Sequence, residues 1–128
     1  MNRSQAKPML LIALLIVSVI GFMVRLPNIF HQMDKELHAI FYAGSFFLLC
    51  MLYPNRWLGI LVLLGLFGLA IEHAQEYSNK ISLRLIGKRI HGRFDPEDIR
   101  YNIIGLGIGL ALFSAYSMLF RKFKKETT

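Results

Sequence analysis

The chain has one cysteine, Cys50, among its 128 residues. An internal disulfide is therefore excluded, and Cys50, which lies inside an apolar segment, is expected to serve only packing. The four histidines, His31, His38, His73 and His91, lack the spacing of zinc fingers and zinc proteases. Spacing alone therefore predicts no metal site, and no cofactor is expected.

Acidic residues are also scarce, with 8 Asp and Glu against 15 Lys and Arg, which gives a net charge of +7. The basic residues lie beside apolar segments and lack the mixed aromatic and basic pattern of RNA-binding modules. Membrane lipids with acidic headgroups explain this charge more simply than nucleic acid does. We therefore expect membrane lipids, and not nucleic acid, as partners.

Apolar residues are abundant, at 55% of the chain, and the mean hydropathy is +0.46. A bilayer core takes about 20 predominantly apolar residues per helix. Residues 1–128 are therefore predicted to form one integral membrane domain, an all-α four-helix bundle. The predicted helices cover about residues 9–26, 36–53, 57–75 and 96–120.

The first apolar segment follows Arg3 and Lys7, a pattern that also fits a cleavable secretory signal. The residues at its end, Phe22-Met23-Val24-Arg25, offer no cleavage site with small side chains, and the segment is long for a signal. A retained membrane anchor is therefore favoured.

Residues 77–94 form the one substantial connection, between the third and fourth predicted helices. Ile81, Leu83 and Leu85 alternate with polar residues ahead of Gly87-Lys88, which favours a small β-hairpin with a glycine-first turn. A basic amphipathic helix lying at the membrane interface is the alternative. Either structure would cover the polar face described next.

Three polar clusters stand at predicted helix ends. The second helix begins, the third ends and the fourth begins on one side of the membrane, so all three clusters should meet there whichever way the protein is inserted. A carboxylate at the depth of Glu72 is costly unless it is paired, protonated or hydrated, which makes it a functional candidate. The clusters are Asp34-Lys35-x-x-His38, Glu72-x-x-Gln75-Glu76 and Arg93-x-Asp95-x-x-Asp98-x-x-x-Asn102.

Parts of these clusters also fit local roles. Asp34 could cap the second helix while Lys35 extends to the interface. Asp95 followed by Pro96 has the form of a helix start. From there one face of the fourth helix carries a stripe, and its glycines should allow close approach of another helix. The stripe consists of Asp98, Asn102, Gly105 and Gly109.

Orientation is not decided by charge. Of the 15 Lys and Arg, seven fall on the side of the termini and eight on the other, so the positive-inside rule does not distinguish the two orientations. Cytoplasmic termini are favoured because the basic cluster at 121–125 directly adjoins its helix, whereas loop cations can pair with nearby acids. The polar clusters would then lie on the opposite face of the cell membrane.

Taken in order, these motifs resemble the VanZ-like membrane proteins over about residues 34 to 112. The family is named for a member that gives resistance to teicoplanin, a glycopeptide antibiotic with a lipid tail. The resemblance implies a membrane protein of the cell envelope and a polar pocket at one membrane face. The residues implied are Asp34, Lys35, His38, Tyr42, Glu72, Gln75, Arg93, Asp98 and Asn102, with Gly105 and Gly109 in helix packing.

Three functional hypotheses remain open. The favoured one is a non-enzymatic pocket for an envelope lipid, a lipid-linked precursor or a lipoglycopeptide. The second is an intramembrane enzyme in which Glu72 or Asp98 serves as general base and His38 as its acid partner or a metal ligand. The third is a structural role, in which the polar residues join the helices of a small assembly protein.

Overall fold

The computed structural model describes residues 3–23, 29, 32–90 and 95–126. Within these ranges the chain forms four α-helices and no strand, and each helix is long and apolar enough to cross a membrane. The prediction of an all-α membrane four-helix bundle is confirmed. The helices are α1 (Arg3–Met23), α2 (Asp34–Leu52), α3 (Trp57–Ile86) and α4 (Pro96–Glu126).

The helix starts of α2, α3 and α4 lie within two residues of their predicted positions. Helix α1 begins six residues earlier than expected, and its predicted end near residue 26 lies outside the described residues. Between α2 and α3 a 3-10 turn at Pro54–Arg56 makes a tight antiparallel connection. Lys7 of α1 donates a hydrogen bond to the Leu52 carbonyl there, at 3.4 Å.

Helix α3 corrects the sequence prediction, because it continues to Ile86 instead of ending near residue 75. The hairpin predicted within 77–94 is therefore wrong for residues 77–86, and the connection begins only at Gly87. No proline or glycine interrupts residues 72–86, so nothing stops the helix. Gly87, at φ 68°, ends it in the left-handed conformation that glycine adopts without strain. Residues 91–94 lie outside the described part.

Ile81, Leu83 and Leu85 alternate with other residues as in a strand, but this segment is helical because it buries polar side chains along one helix face. Asn79 and Ser82 are buried, at 3% and 6% exposure, and they follow Glu72 and Gln75 at helical spacing. With 30 residues, α3 is about 45 Å long. That exceeds a hydrocarbon core of about 30 Å, so its C-terminal turns extend beyond the membrane core.

Helices α2 and α4 form the closest pair in the bundle. Gly105 and Gly109 of α4 face the backbone of α2 at Ala39 and Ala43. A Cβ on Gly105 would lie 2.9 Å from the Ala39 Cα, and one on Gly109 would lie 2.8 Å from the Ala43 carbonyl oxygen. The two glycines therefore let the helices approach backbone to backbone.

An apolar core fills the bundle between the polar face and the opposite end. Helix α1 contributes little to it, and most of its apolar side chains point outward. In a bilayer these faces contact lipid at no hydrophobic cost, so α1 needs no extensive protein packing. The core consists of Tyr42, Phe46, Leu49, Cys50, Ile60, Leu64, Leu106 and Phe113.

Candidate functional site

The polar clusters meet where α2 and α4 begin and α3 passes the same level. Asp34 opens α2, and Asp98 lies in the first turn of α4. Carboxylates at these positions are stabilised by the positive end of the helix dipole. The N-termini of two adjacent helices therefore hold two acids close together in spite of their like charge.

His38 is fixed by a hydrogen bond from α2 to α4. Its ring Nδ1 lies 2.8 Å from Oδ1 of Asn102, and both side chains are buried. Because an amide oxygen can only accept, Nδ1 donates in this arrangement, which leaves Nε2 for a second contact. Nε2 faces Asp34, whose Oδ1 is 4.0 Å away.

Asp98 completes a group of three potential ligands. One oxygen or nitrogen atom from each of Asp34, His38 and Asp98 lies within 4.8 Å of the other two. Asp98 is 8% exposed, and its Oδ1 has no hydrogen-bond partner among the described residues. Histidine spacing could not reveal this group, because it joins one residue of α4 to two of α2.

Glu72 is the most deeply buried charged residue described. Its side chain is 0% exposed, and neither carboxylate oxygen has a hydrogen-bond partner among the described residues. The carboxylates of Asp98, Asp95 and Asp34 repel a negative charge on Glu72, whereas the Asp95 backbone amide favours it. A buried carboxylate is costly unless it is paired, protonated or hydrated, which makes Glu72 a candidate for ligand binding.

Tyr42 and Asn102 approach each other above Gly68. Tyr42 is 1% exposed, and a Cβ on Gly68 would lie 3.0 Å from its hydroxyl oxygen and 2.9 Å from Nδ2 of Asn102. The missing side chain of Gly68 therefore makes room for both polar groups. Gly68 was not among the predicted residues, although it lies one turn before Glu72 on the same face.

Two of the predicted pocket residues are engaged in contacts between helices. Lys35 pairs with Asp95, at 3.8 Å between Nζ and Oδ2, and with Glu97. Gln75 donates to the Phe22 carbonyl oxygen at 2.5 Å, which satisfies a carbonyl that the end of α1 leaves free. Lys35 thus joins the start of α2 to the start of α4, and Gln75 joins the middle of α3 to the end of α1.

Phe22 covers the pocket from α1, and sequence reasoning missed it. Its ring centroid lies 4.7 Å from that of His38 and 4.9 Å from that of Phe41. Asn79 and Ser82 were also missed, because they were assigned to a loop. Burial on the face of Glu72 makes them part of the polar stripe of α3. Arg93, a predicted pocket residue, lies outside the described residues.

The end of α3 brings positive charge to the same side. Ser82 donates to the Lys88 carbonyl oxygen, which holds the chain as it leaves the helix. Four basic side chains around this point are exposed. They follow Glu72 along the chain, in the last turns of α3 and just after it. They are Lys80, Arg84, Lys88 and Arg89.

Together the fold and the site define a multi-pass helical membrane protein in which Asp34, His38 and Asp98 cluster at one end of the bundle. Comparison with protein-family models, with curated proteins and with solved structures gives no match. The VanZ-like resemblance therefore stays a prediction from the motifs.

Proposed function

We propose that the protein is a VanZ-like, non-enzymatic protein of the cell membrane whose pocket binds the headgroup of an envelope lipid or lipid-linked precursor. Binding would change how lipid-tailed glycopeptides such as teicoplanin engage the cell surface. The observation that carries the proposal is Glu72, fully buried and without a described hydrogen-bond partner. Ionisable groups kept at this depth against their desolvation cost mark ligand sites in membrane proteins.

The basic end of α3 suits the phosphate of such a headgroup. Lys80, Arg84, Lys88 and Arg89 are exposed on the side of the pocket. Each basic residue near an anionic lipid surface contributes about 1 kcal/mol of attraction. Phosphate would contact these residues, while hydroxyl or amine groups of the headgroup would donate to the pocket carboxylates.

Native mass spectrometry of the purified full chain tests this proposal. We expect wild-type protein to retain a lipid or lipid-linked precursor as a defined mass increment, and Glu72→Gln to lose most of it. Glu36→Gln serves as the matched control, because Glu36 is exposed on the first turn of α2 and should leave retention unchanged.

The same variants are then compared for teicoplanin susceptibility in a bacterial host that expresses the chain. Glu72→Gln should abolish any change in susceptibility that the wild type produces, at equal protein amount. Equal lipid retention by wild type, Glu72→Gln and Glu36→Gln would rule out the pocket as the binding site.

A structural role is the second candidate, and it is favoured by the contacts between α2 and α4. The His38–Asn102 hydrogen bond and the pairs of Lys35 with Asp95 and Glu97 all join these helices. In this case substitutions would lower protein amount and activity in parallel. The two candidates separate at Glu72, which has no side-chain hydrogen bond to another helix among the described residues.

A further inference from the structure

We infer that Asp34, His38 and Asp98 form a binding site for one divalent transition-metal cation of the Zn²⁺ or Mn²⁺ type. Their ligand atoms lie within 4.8 Å of one another. Ligands at about 2.1 Å from a tetrahedral cation stand about 3.4 Å apart, so side-chain shifts of about 1–1.5 Å complete the site. The inference goes beyond lipid binding and does not depend on it.

The histidine is already arranged as a ligand. Its Nδ1 is held by Asn102 at 2.8 Å, which turns the free Nε2 toward Asp34. Metal-binding histidines commonly use their second ring nitrogen in this way, because that bond fixes both the ring orientation and the tautomer. Asn102 is therefore a positioning residue for His38.

Buried charge supplies an independent observation. Asp98 has an oxygen without a described partner, and Glu72 has two, at 0% exposure. Asp98 and Asp34 are among the charged groups whose repulsion reaches Glu72, so its carboxylate lies within electrostatic range of two of the three ligands. A cation at this point would neutralise acids that otherwise repel one another in a medium of low dielectric constant.

The donor set indicates the class of cation. One imidazole and two carboxylates suit first-row divalent ions, while the absence of a thiolate among these ligands argues against Cu⁺. Three protein ligands leave at least one coordination position, and Glu72 or an outside oxygen atom could fill it. Cys50 belongs to the apolar core and does not join the site.

Cobalt titration of the purified full chain, in detergent and with any tag removed, tests the inference. After treatment with a chelator, we expect one equivalent of Co²⁺ to produce visible ligand-field bands that Zn²⁺ abolishes by displacement. Asp34→Asn and Asp98→Asn should each weaken Co²⁺ binding at least tenfold. Asn102→Ala should weaken it by about 10- to 100-fold, and Glu36→Gln should bind like the wild type.

Size-exclusion chromatography and circular dichroism identify the variants that remain folded. Asp34, whose side chain is 41% exposed, provides the deciding substitution if Asp98→Asn does not fold. The inference is overturned if folded wild type gives no saturable Co²⁺ bands, or if folded Asp34→Asn binds Co²⁺ as tightly as the wild type. Lipid retention is measured separately, so either property can fail without the other.

Discussion

At the scale of single residues, the pocket contains two kinds of buried polar group. His38 and Asn102 satisfy each other across α2 and α4, so they both rigidify the bundle and orient the imidazole. Glu72 has no such side-chain bond among the described residues, and the nearby Asp95 backbone amide offsets only part of the cost of its burial and of the repulsion from nearby acids. Removing Asn102 and removing Glu72 should therefore have opposite effects on stability.

Asn102→Leu should destabilise the protein. The substitution leaves the buried Nδ1 proton of His38 without its acceptor, which costs about 1–2 kcal/mol. Unfolding in mixed detergent, followed by circular dichroism, measures the difference. Asn55→Leu is the matched control, because Asn55 is exposed in the turn between α2 and α3 and should change stability by less than about 0.5 kcal/mol. Equal effects of both substitutions would contradict the structural importance of the His38–Asn102 bond.

Sequence reasoning could find the polar residues of the site but not the residues that shape it. His38, Glu72, Asp98 and Asn102 stand out because polar side chains are rare beside apolar helices. Phe22 and Gly68 give no such signal, because a phenylalanine and a glycine in an apolar segment look like ordinary packing residues. Their roles come from the three-dimensional approach of α1 and α3 to His38, Tyr42 and Asn102.

At the scale of elements, α4 and α3 illustrate what sequence patterns can and cannot decide. The stripe from Asp98 to Gly109 predicts a close helix contact, because glycines four residues apart on one face of a membrane helix let a neighbouring helix approach closely. The sequence after Gln75 is compatible with a strand as well as with a helix when only neighbouring residues are considered. The structure shows a continuous helix in which Asn79 and Ser82 are buried. Alternation of apolar residues alone could not predict either feature.

Gly105→Ala should separate α2 from α4. The new methyl group would meet the backbone of Ala39, which cannot rotate away, so overpacking should cost about 1–3 kcal/mol. Gly107→Ala is the matched control on the same helix, because nothing lies within 4 Å of its added Cβ. It should be neutral or stabilise the helix by up to about 1 kcal/mol. Thermal unfolding of the two variants in detergent makes the comparison, and equal melting temperatures would contradict the close packing at Gly105.

Cysteine labelling should distinguish the helical end of α3 from a hairpin. In a hairpin Ser82 and Arg84 would share one face, whereas in the helix Ser82 is buried and Arg84 is exposed. We expect a membrane-impermeant maleimide to label Arg84→Cys several-fold faster than Ser82→Cys. Native Cys50 is fully buried and should contribute little background. Similar labelling at both positions would favour the hairpin.

At the scale of the whole molecule, four membrane-spanning helices bring the starts of α2 and α4 and the later half of α3 to one face. This convergence follows from helix number alone, so it could be predicted without knowing the orientation. The orientation itself depends on a charge difference of one residue, seven against eight, and sequence cannot resolve so small a bias.

Cytoplasmic termini are the expected orientation, and a C-terminal fusion tests it. A green fluorescent protein fused after Thr128 should fluoresce, because it folds in the cytoplasm, and an alkaline phosphatase fusion at the same position should be inactive. The opposite pair of results would place the polar pocket on the cytoplasmic face.

We propose that the buried Glu72 carboxylate is kept for a ligand and not for the fold. The most direct test is the unfolding free energy of Glu72→Met, measured on ligand-free protein in detergent beside Asn102→Leu. Replacing a buried ion pair or triad by apolar side chains of similar volume is commonly neutral or stabilising by about 1–4 kcal/mol, and a single buried carboxylate without a side-chain partner also carries a desolvation cost that an apolar side chain removes. We therefore expect Glu72→Met to be at least as stable as the wild type while it no longer retains lipid. A loss of stability as large as that of Asn102→Leu would contradict the claim and make Glu72 a structural residue.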